Sequence, residues 1–212
     1  MRKGKPIVFV VDDDPSIRES LNLLLNSAGY KVESFASAKE FLEADPGSPG
    51  PACLVSDVKM PELSGLDLQK ELKSKNCVIP IIFITGHGDI PMSVQAMKKG
   101  AIDFLSKPFD DDELLDAVKV ALLKNSQARV SLNEKKHIIQ RLGSLTAREH
   151  EILTYLITGM LNKQIAYELK ISERTVKAHR KQVFDKMGVN SIAELVRLTE
   201  TLGIKPAVPG TK

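Results

Sequence analysis

Residues 53–65 read CLVSDVKMPELSG, an apolar run that stops at Asp57 and gives way at once to Pro61, Ser64 and Gly65. An apolar run bounded by turn residues predicts a buried strand feeding a loop and then a helix, with Asp57 at the strand's carboxyl end. In open α/β sheets that rim is where ligands gather. A single carboxylate there serves equally well as a cap for the next helix, so the weight comes from repetition. IVFVV ends in Asp12, Asp13 and Asp14; IPIIFI ends in Thr85 and Gly86; AIDFLS ends in Lys107 and Pro108. Four apolar strands thus bring four carboxylates, a hydroxyl and an ammonium to one rim.

Outward from that stretch, strands are expected at 7–11, 31–35, 52–56, 80–84 and 102–105, alternating with amphipathic helical segments. This is the pattern of an α/β parallel sheet covered on both faces. Asp14-Pro15 offers a helix cap with proline in the first turn, and Ser37 with Glu40 and Asp110 with Glu113 form capping boxes. Right-handed crossovers leave few topologies for five strands. The expected one is the doubly wound order 2-1-3-4-5, whose switch point lies between the first and third strands and is flanked by Asp12, Asp13 and Asp57.

A chain of 212 residues has room for two small domains, and its charge is unevenly shared. Through Asn125 there are fifteen Lys and Arg against nineteen Asp and Glu, a charge of −4; the remainder has fifteen against eight, +7. An acidic half that suits cations is therefore joined to a basic half that suits a polyanion. The expected division is a first domain over 1–125, a helical linker over 126–142 and a second domain over 143–212. The linker is polar and lacks proline and glycine through Arg141, which predicts an extended or interrupted helix ending at Gly143 and Ser144. No apolar stretch is long enough for a membrane span, and MRKGKPIVFVV runs into charged residues without a cleavage site, so a cytoplasmic protein with no membrane partner is expected. Cys53 and Cys77 lack CxxC spacing and read as unpaired thiols of a reduced protein.

In the second half, Thr146 with Glu149 boxes the start of a helix carrying Ile152, Leu153, Leu156 and Ile157, closed by Gly159. Asn162 starts a short helix with Ile165, Ala166 and Leu169; Ser172 caps a third; Ser191 with Glu194 boxes a fourth. Four helices with tight turns predict a small all-α unit. The third helix turns Val176, Val183, Phe184 and Met187 inward and Arg174, Lys177, Ala178 and Lys181 outward. A basic helix after a short helix and a turn is the helix-turn-helix arrangement that enters a DNA major groove; a merely solvated basic face is the competing reading.

The segments VVDDDP, SDVKMPELSG, TGHGD and SKPF resemble the flavodoxin-like receiver domain of two-component response regulators, over 5 to about 125. LTAREHEIL, GMLNKQIA and ISERTVKAHRKQVFDKMGV resemble the LuxR/NarL-type helix-turn-helix domain, over about 143 to 202, and TGHGDIPMSV is similar to the FixJ-like subgroup. The resemblance implies Asp57 as phosphate acceptor, with Asp12, Asp13, Asp57 and the backbone carbonyl of Lys59 binding Mg²⁺. It implies Thr85 and Lys107 as contacts of the acquired phosphoryl group, a cis Lys107-Pro108 peptide and Phe104 as an aromatic that turns inward on activation. Val94 and Lys98 fall on the subgroup's dimer face. Lys177, Ala178 and Lys181 would meet base edges, and Lys163, Thr175 and His179 would meet phosphates. Leu161 stands where the common pattern has serine.

The chemistry agrees with those roles. Three clustered carboxylates repel one another in a partly desolvated crevice and call for a cation, and Mg²⁺ favours carboxylate and phosphate oxygens. Asp57 can attack phosphorus in line without a side-chain base. His87, alone on a Gly-rich loop, is expected to be unligated, and the Lys59 side chain is open between a role at the site and only tuning water access to the phosphoryl group. The expected function is a phosphorylation-controlled, DNA-binding transcription regulator. Its partners would be a sensor histidine kinase, duplex DNA with paired half-sites and a second copy on phosphorylation, with RNA polymerase as a further candidate. Enzymatic activity is expected only toward the receiver's own phosphoryl group. Two alternatives compete: a haloacid dehalogenase-like phosphatase using Asp12 as nucleophile and Asp14 as acid/base, and a regulator that binds DNA regardless of phosphorylation.

Overall fold

The computed structural model describes residues 5–48, 50–86 and 90–208; His87 lies outside them. The chain divides into two compact units, Met1–Val130 and Ser131–Lys212. In the first, β1 (Ile7–Val11), β2 (Lys31–Phe35), β3 (Ala52–Asp57), β4 (Ile81–Thr85) and β5 (Asp103–Ser106) form one parallel sheet in the order β2-β1-β3-β4-β5. Between them run α1 (Pro15–Ser27), α2 (Ala38–Ala44), α3 (Gly65–Ser74) and α4 (Ile90–Lys98), and α5 (Asp111–Gly143) follows. β1, β3 and β4 are buried along their whole length, as near-continuous apolar runs require when helices cover both faces. One core layer gathers Phe9, Phe41, Leu54, Leu68 and Phe83, the other Val10, Leu25, Val55, Ile82 and Leu114. The alternation along each strand sends successive side chains to opposite layers.

Helix starts follow local chemistry. The Asp14 side chain accepts from the Ser16 N–H ahead of Pro15, and the Ser37 and Ser64 hydroxyls accept from Glu40 and Asp67 N–H groups. α5 is one continuous helix from Asp111 to Gly143. Within the first unit its buried Asn125 donates to the Val78 carbonyl and accepts from the Ala52 N–H, which ties it to the amino edge of the sheet.

The second unit packs the end of α5 with α6 (Ala147–Leu156), α7 (Asn162–Leu169), α8 (Glu173–Met187) and α9 (Ile192–Thr201). Ile138, Ile152, Leu156, Ile165, Val176, Val183 and Leu195 fill its core, with Phe184 half-buried at the edge. Thr146 and Glu149 complete a reciprocal capping box on α6. At α7 only half a box forms, because Gln164 accepts from the Leu161 N–H while leucine has no oxygen to return the bond. The last turn of α8 ends at Gly188, in the left-handed region with φ 63°, and Arg141 donates to the Met187 carbonyl there.

Candidate functional site

Parallel pairing places the ends of β1, β3, β4 and β5 along one rim, with Val11 opposite Ser56, Asp57 opposite Ile84 and Thr85 opposite Ser106. Asp12 follows β1, Asp57 ends β3 and Lys107 follows β5. The Lys107 ammonium lies between the two acids, 2.8 Å from Asp12 Oδ2 and 2.9 Å from Asp57 Oδ1. The other carboxylate oxygens are held by backbone. Asp12 Oδ1 accepts from Asp14 N at 2.9 Å, and Asp57 Oδ2 accepts from Lys59 N at 2.6 Å. Asp12, Asp57 and Thr85 are buried, and the Lys107 N–H donates to the Thr85 carbonyl at 2.8 Å. The Lys107-Pro108 peptide is cis.

Burial raises the Asp12 carboxyl above its ordinary value, more than the hydrogen bonds from Lys107 and the Asp14 N–H lower it. Burial alone would lower Lys107, but its hydrogen bonds to Asp12 and Asp57 prevail and raise it. The two shifts act on one ion pair: the acids favour the protonated ammonium of Lys107, while burial works against the charged form of Asp12.

This arrangement corrects one expectation. Asp13 is exposed, so two carboxylates, not three, share the buried pocket, and Lys107 already neutralises part of their repulsion. Mutual repulsion alone therefore does not demand a metal. Among the described residues no group of three His, Cys, Asp or Glu side chains is gathered to hold one. The donors present, carboxylates of Asp12 and Asp57 with Asp13 at the mouth, are nevertheless the hard oxygens that suit Mg²⁺.

Several supporting residues escaped the sequence reading. Arg18, on α1, donates to the carbonyls of Asp12 at 2.7 Å and Asp13 at 2.9 Å and so pins the acidic turn. Its only sequence signal was an arginine one turn into a helix. Gly65 opens α3 against the end of β3: a Cβ there would lie 2.3 Å from the Asp57 carbonyl oxygen, so no larger residue fits unless the strand end moves. Phe104 is half-buried and lies 6.4 Å, centroid to centroid, from Phe83. Val94 is exposed on α4 with Ile90 and Met97, which makes an apolar stripe at helical spacing, and Lys98 is exposed beside it.

In the second unit Arg174, Lys177, Ala178 and Lys181 all lie exposed on α8, opposite the buried Val176, Val183 and Met187. Lys177 pairs with Glu173 at 3.0 Å, a surface contact that costs little to exchange for another anion. Lys163 is exposed on α7, while Thr175 and His179 are half-buried on α8; the Thr175 hydroxyl lies 2.8 Å from that of Ser172. Arg180, which sequence reasoning passed over, stacks 5.2 Å over the Phe184 ring and donates to Asn162 Oδ1, so it sets α8 against α7. Cys53 is buried, which pushes its thiol up to about 12, and Cys77 is half-buried and free. Among the described residues no helix is long and apolar enough to cross a membrane.

An acid-and-lysine rim on a doubly wound sheet, joined to an all-α unit with an exposed basic helix, defines a two-domain regulator. Known proteins make that class specific. Residues 8–119 match the family described as response regulator receiver domain, and residues 143–199 match the bacterial regulatory proteins of the luxR family. Nodulation protein W of Bradyrhizobium diazoefficiens is 50% identical over 200 residues, 94% of this chain and 88% of that protein. The transcriptional regulatory protein FixJ of the same organism is 45% identical over 197 residues, covering 93% and 96%. The solved structure of the response regulator StyR, 50% identical, superimposes with a TM-score of 0.84 over 93% of this chain and 99% of that one. The chain belongs to the two-component response regulators that join a receiver to a LuxR-type DNA-binding domain, in the FixJ-like subgroup. It is a DNA-binding transcription regulator of two-component signalling, with a histidine kinase and DNA as its implied partners, and the matches leave no place for a haloacid dehalogenase-like phosphatase.

Proposed function

We propose that Asp57 accepts a phosphoryl group from a sensor histidine kinase and that the resulting charge shifts the receiver toward a state that pairs and binds DNA. The observation that carries this reading is the Asp57 carboxylate at the end of β3, 2.9 Å from the Lys107 ammonium. A carboxylate oxygen of Asp57 attacks phosphorus as the bond from phosphorus to the kinase imidazole nitrogen breaks, and that nitrogen regains a proton from solvent. Lys107 then exchanges part of its contact with Asp57 for the phosphoryl oxygens, and Thr85 donates its hydroxyl to them. Asp12, Asp13, Asp57 and the Lys59 carbonyl would hold Mg²⁺, which when bound supplies positive charge to the transferring group. Catalysis by this chain is confined to gain and loss of its own phosphoryl group.

The switch reading extends outward from Thr85. Phe104 turns inward as Thr85 moves, and the exposed Ile90, Val94 and Met97 with Lys98 become the face on which two copies meet. A pair of second units then presents two α8 helices to two half-sites, with Lys177, Ala178 and Lys181 at base edges, Arg174 beside them and Lys163, Thr175 and His179 at phosphates. The receiver spans 1–125, the helical linker 126–142 and the DNA-binding domain 143–212; the setting is cytoplasmic, and RNA polymerase is the further partner that promoter action requires.

The test is DNA affinity of the full chain with and without a beryllofluoride phosphoryl mimic, by fluorescence anisotropy. The wild type is expected to bind promoter DNA at least tenfold tighter with the mimic, and Asp57→Ala to show no change. Equal affinity in both states for the wild type would leave a regulator indifferent to phosphate, and the switch reading would fail.

A further inference from the structure

We propose that Arg18 is a positioning residue of the receiver site: without touching metal or phosphoryl group, it aims the Asp13 carboxylate and so sets the affinity for Mg²⁺. This role rests on Asp12, Asp13 and Asp57 being the Mg²⁺ donors proposed above. The three consecutive acids after β1 are held in three different ways. Asp12 is buried and fixed at both carboxylate oxygens, by Lys107 Nζ at 2.8 Å and by Asp14 N at 2.9 Å. Asp14 Oδ1 accepts from the Ser16 N–H at 2.8 Å as the cap of α1. Asp13 is exposed, and among the described residues no hydrogen bond or ion pair holds its carboxylate. Its backbone is held instead.

The two carbonyls to which Arg18 donates belong to the peptide units on either side of the Asp13 Cα. That of Asp12 precedes it, at 2.7 Å, that of Asp13 follows it, at 2.9 Å, and both accept from one nitrogen, Nη1. A terminal guanidinium nitrogen carries two hydrogens, one for each oxygen. Peptide units are planar, so φ and ψ of Asp13 are the soft torsions between these two. Tying both oxygens to one atom fixes that pair of torsions, and with it the direction in which the Asp13 Cα–Cβ bond leaves the chain. The charge of Arg18 fits the same role. It stands half-buried in the first turn of α1, where the helix dipole disfavours a cation, beside a site that would draw another cation. Among the described residues it makes no ion pair that would give the charge a different use. Repulsion by Arg18 alone would weaken Mg²⁺ binding, but water and salt screen a half-buried charge. Loss of a group that orients a metal ligand costs about 10–100-fold in affinity, so orientation outweighs repulsion.

The experiment titrates the full-length protein with MgCl₂ and follows the backbone amides of residues 11–14 and 57–59 by ¹H–¹⁵N NMR. The wild type should give saturating shifts. Arg18→Ala is expected to bind Mg²⁺ at least tenfold more weakly, although it removes a like charge. Arg18→Lys, which keeps the charge and loses the planar fork, should fall between the two, at least threefold weaker than wild type. Because Arg18 acts through Asp13, either substitution should change affinity less than twofold in an Asp13→Asn background. A merely structural arginine would cost the same factor in both backgrounds, and that result would overturn the proposal. So would an Arg18→Ala protein that binds Mg²⁺ as tightly as the wild type or more tightly. If Arg18→Ala does not fold, Arg18→Lys decides by the same two comparisons. A wild type without saturating shifts would instead remove the Mg²⁺ reading itself, and this role with it.

Discussion

The two sites of this chain are built in opposite ways. The receiver pocket assembles Asp12, Asp57 and Lys107 from positions 50 and 95 residues apart, and it buries both acids. The proposed DNA face takes Arg174, Lys177, Ala178 and Lys181 from two turns of one helix and leaves every one exposed. In the pocket, low dielectric makes each charge depend on the others, so the group behaves as one unit. On α8 the charges sit in water, separated by helical spacing, and a change in one leaves the fold alone. A phosphoryl group arriving in the first setting can therefore move structure, whereas a base pair meeting the second can only be read.

The largest expected effect tests the interdependence of the pocket. Lys107→Ala leaves two buried acids without their cation and should destabilise the receiver by about 3 kcal/mol, the scale for breaking a buried pair. Saturating Mg²⁺ should restore more stability to the variant than it adds to the wild type, as read by urea unfolding. If the variant unfolds at the wild-type midpoint without metal, the pocket is not a coupled unit.

On the other side of the comparison, Lys177→Ala/Lys181→Ala should weaken promoter binding up to about a hundredfold, at roughly 1–3 kcal/mol for each base contact. Its unfolding midpoint should stay at the wild-type value. A large stability loss would show that α8 needs those side chains for folding.

Acidification should separate the units by sign. Glu149 is buried at the start of α6, and Lys186, at 2.6 Å, followed by the Thr146 N–H, holds its carboxyl below the ordinary range. A lowered folded value gives stability that is present above the unfolded value of about 4.3 and is lost as pH falls through the folded one. The advantage in melting temperature of wild type over Glu149→Gln should therefore shrink below about pH 4.3. Asp12 is raised, so its protonation favours the folded state, and the wild type should gain on Asp12→Asn as pH falls toward the unfolded value of about 3.9. Parallel pH profiles for the two variants would contradict the contrast.

The smallest effect is local. Leu161→Ser supplies the missing oxygen at the start of α7 and should stabilise the second unit by about 1 kcal/mol. Melting of the variant at or below the wild-type temperature would mean that the exposed leucine contributes packing there that the serine cannot replace.

Much of this molecule was legible in one dimension. The strand spans read from apolar runs agree with the observed ones within a residue, and the order β2-β1-β3-β4-β5 is the one expected among the few that the crossover rule leaves. The caps at Ser37, Thr146, Ser172 and Ser191 sit where side-chain chemistry placed them. What escaped notice depends on contacts between one element and another: Arg18 on the acidic turn, Gly65 against the Asp57 carbonyl, Arg180 between two helices and Gln69 on the Ala96 carbonyl. None of these residue types is unusual at its position, so periodicity and motif carry no trace of them.

Local patterns alone determined where strands and helices begin, that acids and a lysine collect at one sheet edge, and that one helix is apolar on one side and basic on the other. Each of these follows from the covalent spacing of neighbouring residues, which the fold cannot alter. The tertiary structure decided which charges share a low-dielectric pocket: Asp13, adjacent to Asp12, stays in water, while Lys107, ninety-five residues away, lies between the acids. Burial and distance set electrostatic strength, and both exist only once the chain has folded.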